Sequence, residues 1–172
     1  MQRMAPQADK DNNVRESIIG VEKEDHLEKS IYKYEIFRRK VCEMQEGFKA
    51  SAPERVAEFL RNIGLASEEQ EHMVALTLDA KNKITGYYTV AIGTADNAAI
   101  HFRDVFRRAI LLNSLGIILA HQHPSGDCDP SSDDIRLTQG AKQAGEIIGI
   151  KLLDHVIVSE TGYYSFVEKR II

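Results

Sequence analysis

Gly116, Ile117, Ile118, Leu119 and Ala120 form an unbroken apolar run that passes directly into His121-Gln122-His123-Pro124-Ser125-Gly126-Asp127. Five residues are too few for a helix of ordinary length. A strand that is apolar on both faces belongs in the middle of a covered sheet. The run therefore predicts a central buried strand at 116–120, and a polar loop rich in Pro, Gly, Asp and Ser begins where it ends.

The flanking segments supply the layers such a strand needs. Ser51 and Pro53 open a helical pattern carrying Val56, Phe59, Leu60 and Ile63, with Gly64 placed as the residue after its end. His72–Leu78 and Ile84–Gly93 read as strands around the polar turn Asp79–Lys83, so Met73–Ile92 is expected to be a hairpin. Asp104–Leu115 places Val105, Phe106, Ala109, Ile110 and Leu112 on one face of an amphipathic helix. Ser131 or Ser132 opens another helix reaching Ile148, ended by Gly149. Leu152–Ser159 and Gly162–Val167 close the chain as two strands. The order β-β-α-β-α-β-β predicts an α/β domain over 51–172, a mixed sheet flanked by helices.

Residues 1–50 differ in kind. They hold 10 basic and 10 acidic side chains, and the first 25 or so are expected to be a solvated, disordered tail with too little apolar area to offset ordering entropy. Ile31, Tyr32, Tyr34, Ile36 and Phe37 alternate in a way that favours a strand over a helix, while length leaves both open. Ile31–Met44 has enough apolar residues to pair with a neighbour or cover a sheet edge, so a homo-oligomer is one expectation.

Charge and cysteine usage narrow the function classes. The 172 residues carry 22 Lys+Arg and 26 Asp+Glu, and residues 51–172 hold 12 basic against 16 acidic side chains. That balance argues against nucleic acid as the main partner, because such binding draws on clustered positive charge. No apolar run approaches the roughly 18 residues of a membrane span, and nothing near Met1 resembles a signal peptide. Cys42 and Cys128 cannot make a disulfide framework. The expected setting is the cytoplasm, with no membrane partner and no organic cofactor.

His121 and His123 stand two residues apart at a strand end, so their imidazoles project to the same side. Asp134, in the first turn of the next helix, can return a carboxylate to that point. Two histidines and a carboxylate leave a fourth tetrahedral position for water, as in catalytic zinc sites, although ligand softness does not exclude other transition metals. Plainer readings stand beside this one. Ser131 and Asp134 can be a helix-capping pair. Asp127, Asp129 and Asp133 can be solvated loop carboxylates, and Cys128 is a weaker candidate for a third ligand.

His121-x-His123-x7-Ser131-x2-Asp134 resembles the JAMM signature of the JAB/MPN metalloenzymes at every fixed position. HQHPSGD, PSSDDI and LLDHVIV, together with LDAKNKI, IGT and RDVFRRAIL, resemble the RadC branch of that superfamily over about Glu54–Glu168. The resemblance implies a JAB/MPN-like (cytidine-deaminase-like) fold and one zinc ion per chain held by His121, His123 and Asp134. It further implies Ser131 as the serine that meets a developing oxyanion or the bound water. The implied chemistry is metal-assisted hydrolysis of an amide or isopeptide bond in a protein or peptide substrate.

The resemblance also implies an upstream glutamate as general base. Aligning KITGYYTVAIGT by its IGT end puts Tyr88 at that place, and no acidic residue lies between Asp79 and Asp96. With an unperturbed pKa near ~10, tyrosine is a poor base at neutral pH. Asp127, Tyr88 itself as a donor, or one of Glu68–Glu71 are the possible replacements. Three functions follow: a zinc-dependent hydrolase, a metal-holding module with little turnover that docks a protein, and a DNA-repair accessory suggested by the RadC name. The acidic balance counts against the last. Asp154-His155 resembles the family's DH pair and is read either as standing behind the site's ligands or as structural, the structural role being favoured. His101 is expected to be a helix-entry contact.

Overall fold

The computed structural model describes residues 49–93 and 100–172. The expected tail over the first 25 residues, the alternating segment Ile31–Phe37 and nearly all of the 1–50 extension lie outside those residues.

The apolar run becomes β3 (Gly116–His121), and every residue of it is buried. It lies between β1 (His72–Leu78), antiparallel to it, and β4 (Lys151–Val158), parallel to it. β2 (Ile84–Ile92) and β5 (Tyr163–Ser165) complete a five-stranded mixed sheet in the order β2-β1-β3-β4-β5. The β1–β2 turn forms as the sequence suggested. Asp79 Oδ1 accepts from the backbone N–H groups of Lys81 (2.8 Å) and Lys83 (2.9 Å), while Asn82 takes a left-handed φ of 56°.

Side-chain alternation divides the core into two layers. On one face α1 (Pro53–Asn62) sets Val56, Phe59 and Leu60 against Val74, Leu76, Ile118, Ala120 and Val156. On the other, α2 (Phe102–Leu111) and α3 (Ser132–Ile148) cover Met73, Ala75, Ile117 and Leu119 with Val105, Phe106, Ala109 and Ala141. This is an α/β fold consistent with JAB/MPN architecture. Full burial of each large apolar side chain is worth about 1.5–3 kcal/mol, so the two layers carry most of the stabilisation. Arg61, in the last turn of α1, ties that helix to the far end of the sheet. Its guanidinium donates to the carbonyls of Ser159 and Gly162, both at 2.8 Å.

Two elements depart most from expectation. α2 begins at Phe102 and ends at Leu111, so both ends fall earlier than the predicted Asp104–Leu115. Asn113 adopts a left-handed φ of 51° and Ser114 is drawn into the sheet, where it accepts from Leu78 N (3.1 Å) and donates to Gly116 O (2.6 Å). The helix therefore stops before Leu112, and Ile110 and Leu112 are exposed instead of facing the core. β5 keeps only Tyr163–Ser165 of the predicted Gly162–Val167, because Phe166 turns into the core with its N–H on the His155 carbonyl and the Val167 N–H goes to Asp154 Oδ1. Among the described residues, no helix is long and apolar enough to cross a membrane.

Candidate metal centre

The site forms where β3 ends. His121 is its last residue and is wholly buried; His123 follows on the same side. The intervening Gln122 points to the other side and is also buried. Its Oε1 accepts from His72 N (3.0 Å), and its Nε2 donates to the carbonyls of Glu68 (3.2 Å) and Gln70. The middle residue of the HxH motif thus ties down the segment leading into β1, a role the sequence reading did not find.

The third group comes from the start of α3. Ser131 is its N-cap and forms a capping box with Asp134. Asp134 Oδ2 accepts from the Ser131 backbone N–H (2.8 Å) and hydroxyl (2.6 Å), while Asp134 N donates to Ser131 Oγ (3.1 Å). These bonds aim the carboxylate at the histidines. Asp134 Oδ1 lies 3.3 Å from His121 Nε2, Oδ2 lies 3.7 Å from His123 Nε2, and the two Nε2 atoms are 3.1 Å apart. The capping and ligand readings of Asp134 are therefore one arrangement. Ser131 orients the carboxylate as well as capping the helix, so its hydroxyl is coupled to the ligand set and is not independent of it.

The donor set fits a divalent cation. His123 Nδ1 is 2.8 Å from the carbonyl of Asp127. A carbonyl only accepts, so Nδ1 carries the proton and a neutral ring turns its Nε2 lone pair to His121 and Asp134. Burial opposes ionisation of Asp134, yet the His121 and His123 rings beside it and the Ser131 hydroxyl hold its carboxyl well below the usual carboxylate range. His123 is raised, chiefly by the Asp134 carboxylate beside it. Lone pairs and a negative charge thus converge on one point, with one ligand atom from each residue within 4.8 Å of the others. Donors about 2.0–2.1 Å from a tetrahedral ion stand about 3.4 Å from one another, close to the separations found here. His121, His123 and Asp134 can accordingly hold a metal ion, whereas Cys128 is outside the group.

The candidate bases separate clearly. Tyr88 lies in β2 beside Ala75, and Ala75 pairs with Leu119, so Tyr88 sits well short of the His121 end of the sheet. Its hydroxyl donates to the carbonyl of Val105 under α2, and burial pushes its pKa up to about 12. It is a core tyrosine. Asp127 is exposed and meets the site through its carbonyl, its carboxylate accepting from Asp129 N (3.0 Å).

Glu71 is different. β1 and β3 pair Val74 with Ala120, and continuing that antiparallel register by three residues sets Glu71 opposite His123. By alternation it shares the face of Met73 and Ala75, the same face as His121. It is half-buried, and its charge contributes to the raised pKa of His123. Of the replacements for Tyr88 considered from the sequence, Glu71 from the Glu68–Glu71 segment is the one whose register brings it opposite His123. The usable signal was topological: the residue before β1 lies opposite the second residue after β3.

Of the two readings of His155, the structure favours the one behind the ligands, because it touches the ligand set. Its Nε2 lies 2.9 Å from His121 Nδ1 and its Nδ1 2.6 Å from Thr138 Oγ1. Its neighbour Asp154 is structural, accepting from Ser165 Oγ (2.6 Å), His155 N (2.7 Å) and Val167 N (3.0 Å). His101 precedes α2 as its N-cap and makes no side-chain capping bond.

Residues 50–171 match the family model described as the RadC-like JAB domain. Among similar proteins, a "UPF0758 protein" of Thermotoga maritima is 50% identical over 101 residues, 59% of this chain and 46% of that one. Another, of Carboxydothermus hydrogenoformans, is 42% identical over 119 residues, covering 69% and 52% respectively. A third, of Caldanaerobacter subterraneus subsp. tengcongensis, is 38% identical over 162 residues, covering 86% and 66%. The chain spans about half the length of the first two relatives.

Proposed function

Because the chain belongs to the RadC-like JAB domain family, we propose that it is a zinc-dependent hydrolase of amide or isopeptide bonds in a protein or peptide substrate. The observation that carries this reading is a carboxylate, Glu71, which the β1–β3 register sets opposite His123 of a three-donor group. His121, His123 and Asp134 would hold the ion. When bound, zinc supplies Lewis acidity, lowering the pKa of water from 15.7 to about 7 and polarising the scissile carbonyl.

The remaining work falls to the protein. Glu71 accepts the proton of the attacking water and returns it to the leaving amine, the two halves of general acid–base catalysis. Gln122, by holding the carbonyls of Glu68 and Gln70 and the N–H of His72, keeps Glu71 at the end of β3. Ser131 keeps the Asp134 carboxylate aimed. A cleft of ≈ 330 Å³ opens beside His123, lined by Glu68, Ser125, Glu160 and Thr161, and gives the substrate an approach. Glu71 favours the hydrolase over a metal-holding module without turnover, a reading that had rested on Tyr88 at the place of the base.

Metal content and turnover of the Glu71→Gln variant test the reading. We expect about one zinc per chain in both wild type and variant, with turnover of a scanned peptide or isopeptide lowered about 10²–10⁴-fold, the usual share of a general base. An unchanged rate would dismiss Glu71, and wild-type protein that takes up no zinc would dismiss the hydrolase.

A further inference from the structure

We infer that His155, backed by Thr138, is a positioning residue that fixes the tautomer of His121 and thereby turns the His121 Nε2 lone pair toward the ion. The inference rests on the metal-site reading above for its consequence. Its geometry stands without it.

The direction of each hydrogen bond follows from the far end of the chain of contacts. Thr138 Oγ1 lies 2.5 Å from the carbonyl oxygen of Asp134. That carbonyl only accepts, so the threonine hydroxyl donates to it and its own oxygen is left to accept. His155 Nδ1, 2.6 Å away, therefore carries a proton and donates to Thr138. In the neutral ring His155 Nε2 then has only a lone pair, and it accepts from His121 Nδ1–H at 2.9 Å. His121 Nε2 is left unprotonated, facing His123 Nε2 at 3.1 Å. From the Asp134 carbonyl to His121 Nδ1, reversing any one bond would place two donors or two acceptors face to face. Beyond it the Nε2 lone pairs of His121 and His123 face one another with no proton between them, as two ligand atoms of one ion do. The run begins and ends on Asp134, whose backbone carbonyl sets the proton order and whose carboxylate is the third donor.

The surroundings keep this order in place. His155 is wholly buried and stacks on Phe166 with ring centroids 4.7 Å apart and planes 15° apart, so the ring cannot tilt away from His121. Thr138 is also wholly buried, one helical turn beyond Asp134 on the same face of α3. Such partners behind a ligating histidine typically change metal affinity by about 10–100-fold when removed.

Two measurements on the full chain test the inference. Nitrogen-15 NMR of the metal-free protein should find His121 in the Nδ1–H form. Zinc affinity, measured by competition with a chelator, should fall about 10–100-fold in Thr138→Val and recover in Thr138→Ser. His155→Phe, which retains a ring against Phe166 but no acceptor, should lose affinity likewise. Melting curves of the metal-free variants separate lost positioning from lost folding. An Nε2–H form of His121, or wild-type zinc affinity in a folded Thr138→Val, overturns the proposal. Wild-type protein that shows the Nδ1–H form yet binds no zinc would support the tautomer order and overturn the metal reading instead.

Discussion

α2 and α3 lie side by side on the same face of the sheet, yet their buried faces have opposite chemistry. α2 buries Val105, Phe106 and Ala109, all apolar. α3 buries Asp134, Thr138, Ala141 and Gly145, polar in its first half and small in its second. The difference follows what each meets. Phe106 and Ala109 pack on apolar strand positions such as Ile117 and Leu119. Asp134 and Thr138 meet His121 and His155, the two wholly buried histidines of the sheet. A buried polar group is costly unless bonded, and among the described residues no buried side-chain nitrogen or oxygen lacks a partner. One helix supplies core, while the other places ligands inside it.

That contrast breaks most sharply at Asp134. Asp134→Asn should lower bound zinc from about one per chain to a small fraction while the protein still unfolds cooperatively. Full zinc content in the variant would refute the ligand assignment. On the neighbouring helix Phe106→Ala should do the reverse, costing about 3–5 kcal/mol of stability through an unfilled cavity with zinc stoichiometry intact in the folded fraction. Denaturant melts alongside metal analysis read both effects. If Phe106→Ala loses zinc before it loses structure, the two helices are not independent.

Two glycines of α3 sharpen the comparison at smaller scale. A Cβ at Gly145 would stand 2.4 Å from the carbonyl oxygen of Ile150 and 3.2 Å from Phe106 Cζ, while one at Gly140 would meet only the ring of Phe102. Backbone cannot yield as a partly exposed ring can, so Gly145→Ala should cost about 1–3 kcal/mol. Gly140→Ala should be near neutral once Phe102 swings out, because alanine favours helix by up to about 1 kcal/mol. Equal melting points for the two variants would show that the turn between α3 and β4 is looser than its geometry.

The smallest effect is expected at Tyr88. Tyr88→Phe removes the bond to Val105 and should cost about 0.5–1.5 kcal/mol without altering zinc content or turnover. With a folded pKa of about 12 against an unfolded value near ~10, the folded state holds this proton more tightly. The resulting stability is fully present below pH ~10 and is lost as pH rises toward 12. The phenylalanine variant should lack that part of the alkaline loss. A turnover defect in Tyr88→Phe would return this residue to the site.

Much of the architecture was legible because it rests on short-range rules. Gly64 and Gly149 end their helices with φ of 82° and 81°, as residues without a Cβ readily do. The strand His72–Leu78 and the helix Ser132–Ile148 fall where periodicity placed them. α2 was misjudged at its C-terminal end because Ser114, three residues beyond the helix, is claimed by Leu78 and Gly116 of the sheet. No pattern along the helix itself announces that competition.

The same division holds at the site. Sequence by itself determined that His121 and His123 share a face, through the two-residue repeat of a strand, and that Ser131 and Asp134 close a capping box, through the first turn of a helix. Only the tertiary structure decided what stands around them. Antiparallel pairing of β1 with β3 brings Glu71 to His123 across about fifty residues of chain, and turns Gln122 into the tie that holds it there. Parallel pairing of β3 with β4 sets His155 behind His121, with the register shift near Leu153 deciding which side of β4 faces the site. Local periodicity fixes which way a side chain points. Its neighbour across the sheet depends on strand order and register, which are settled by the packing of distant segments.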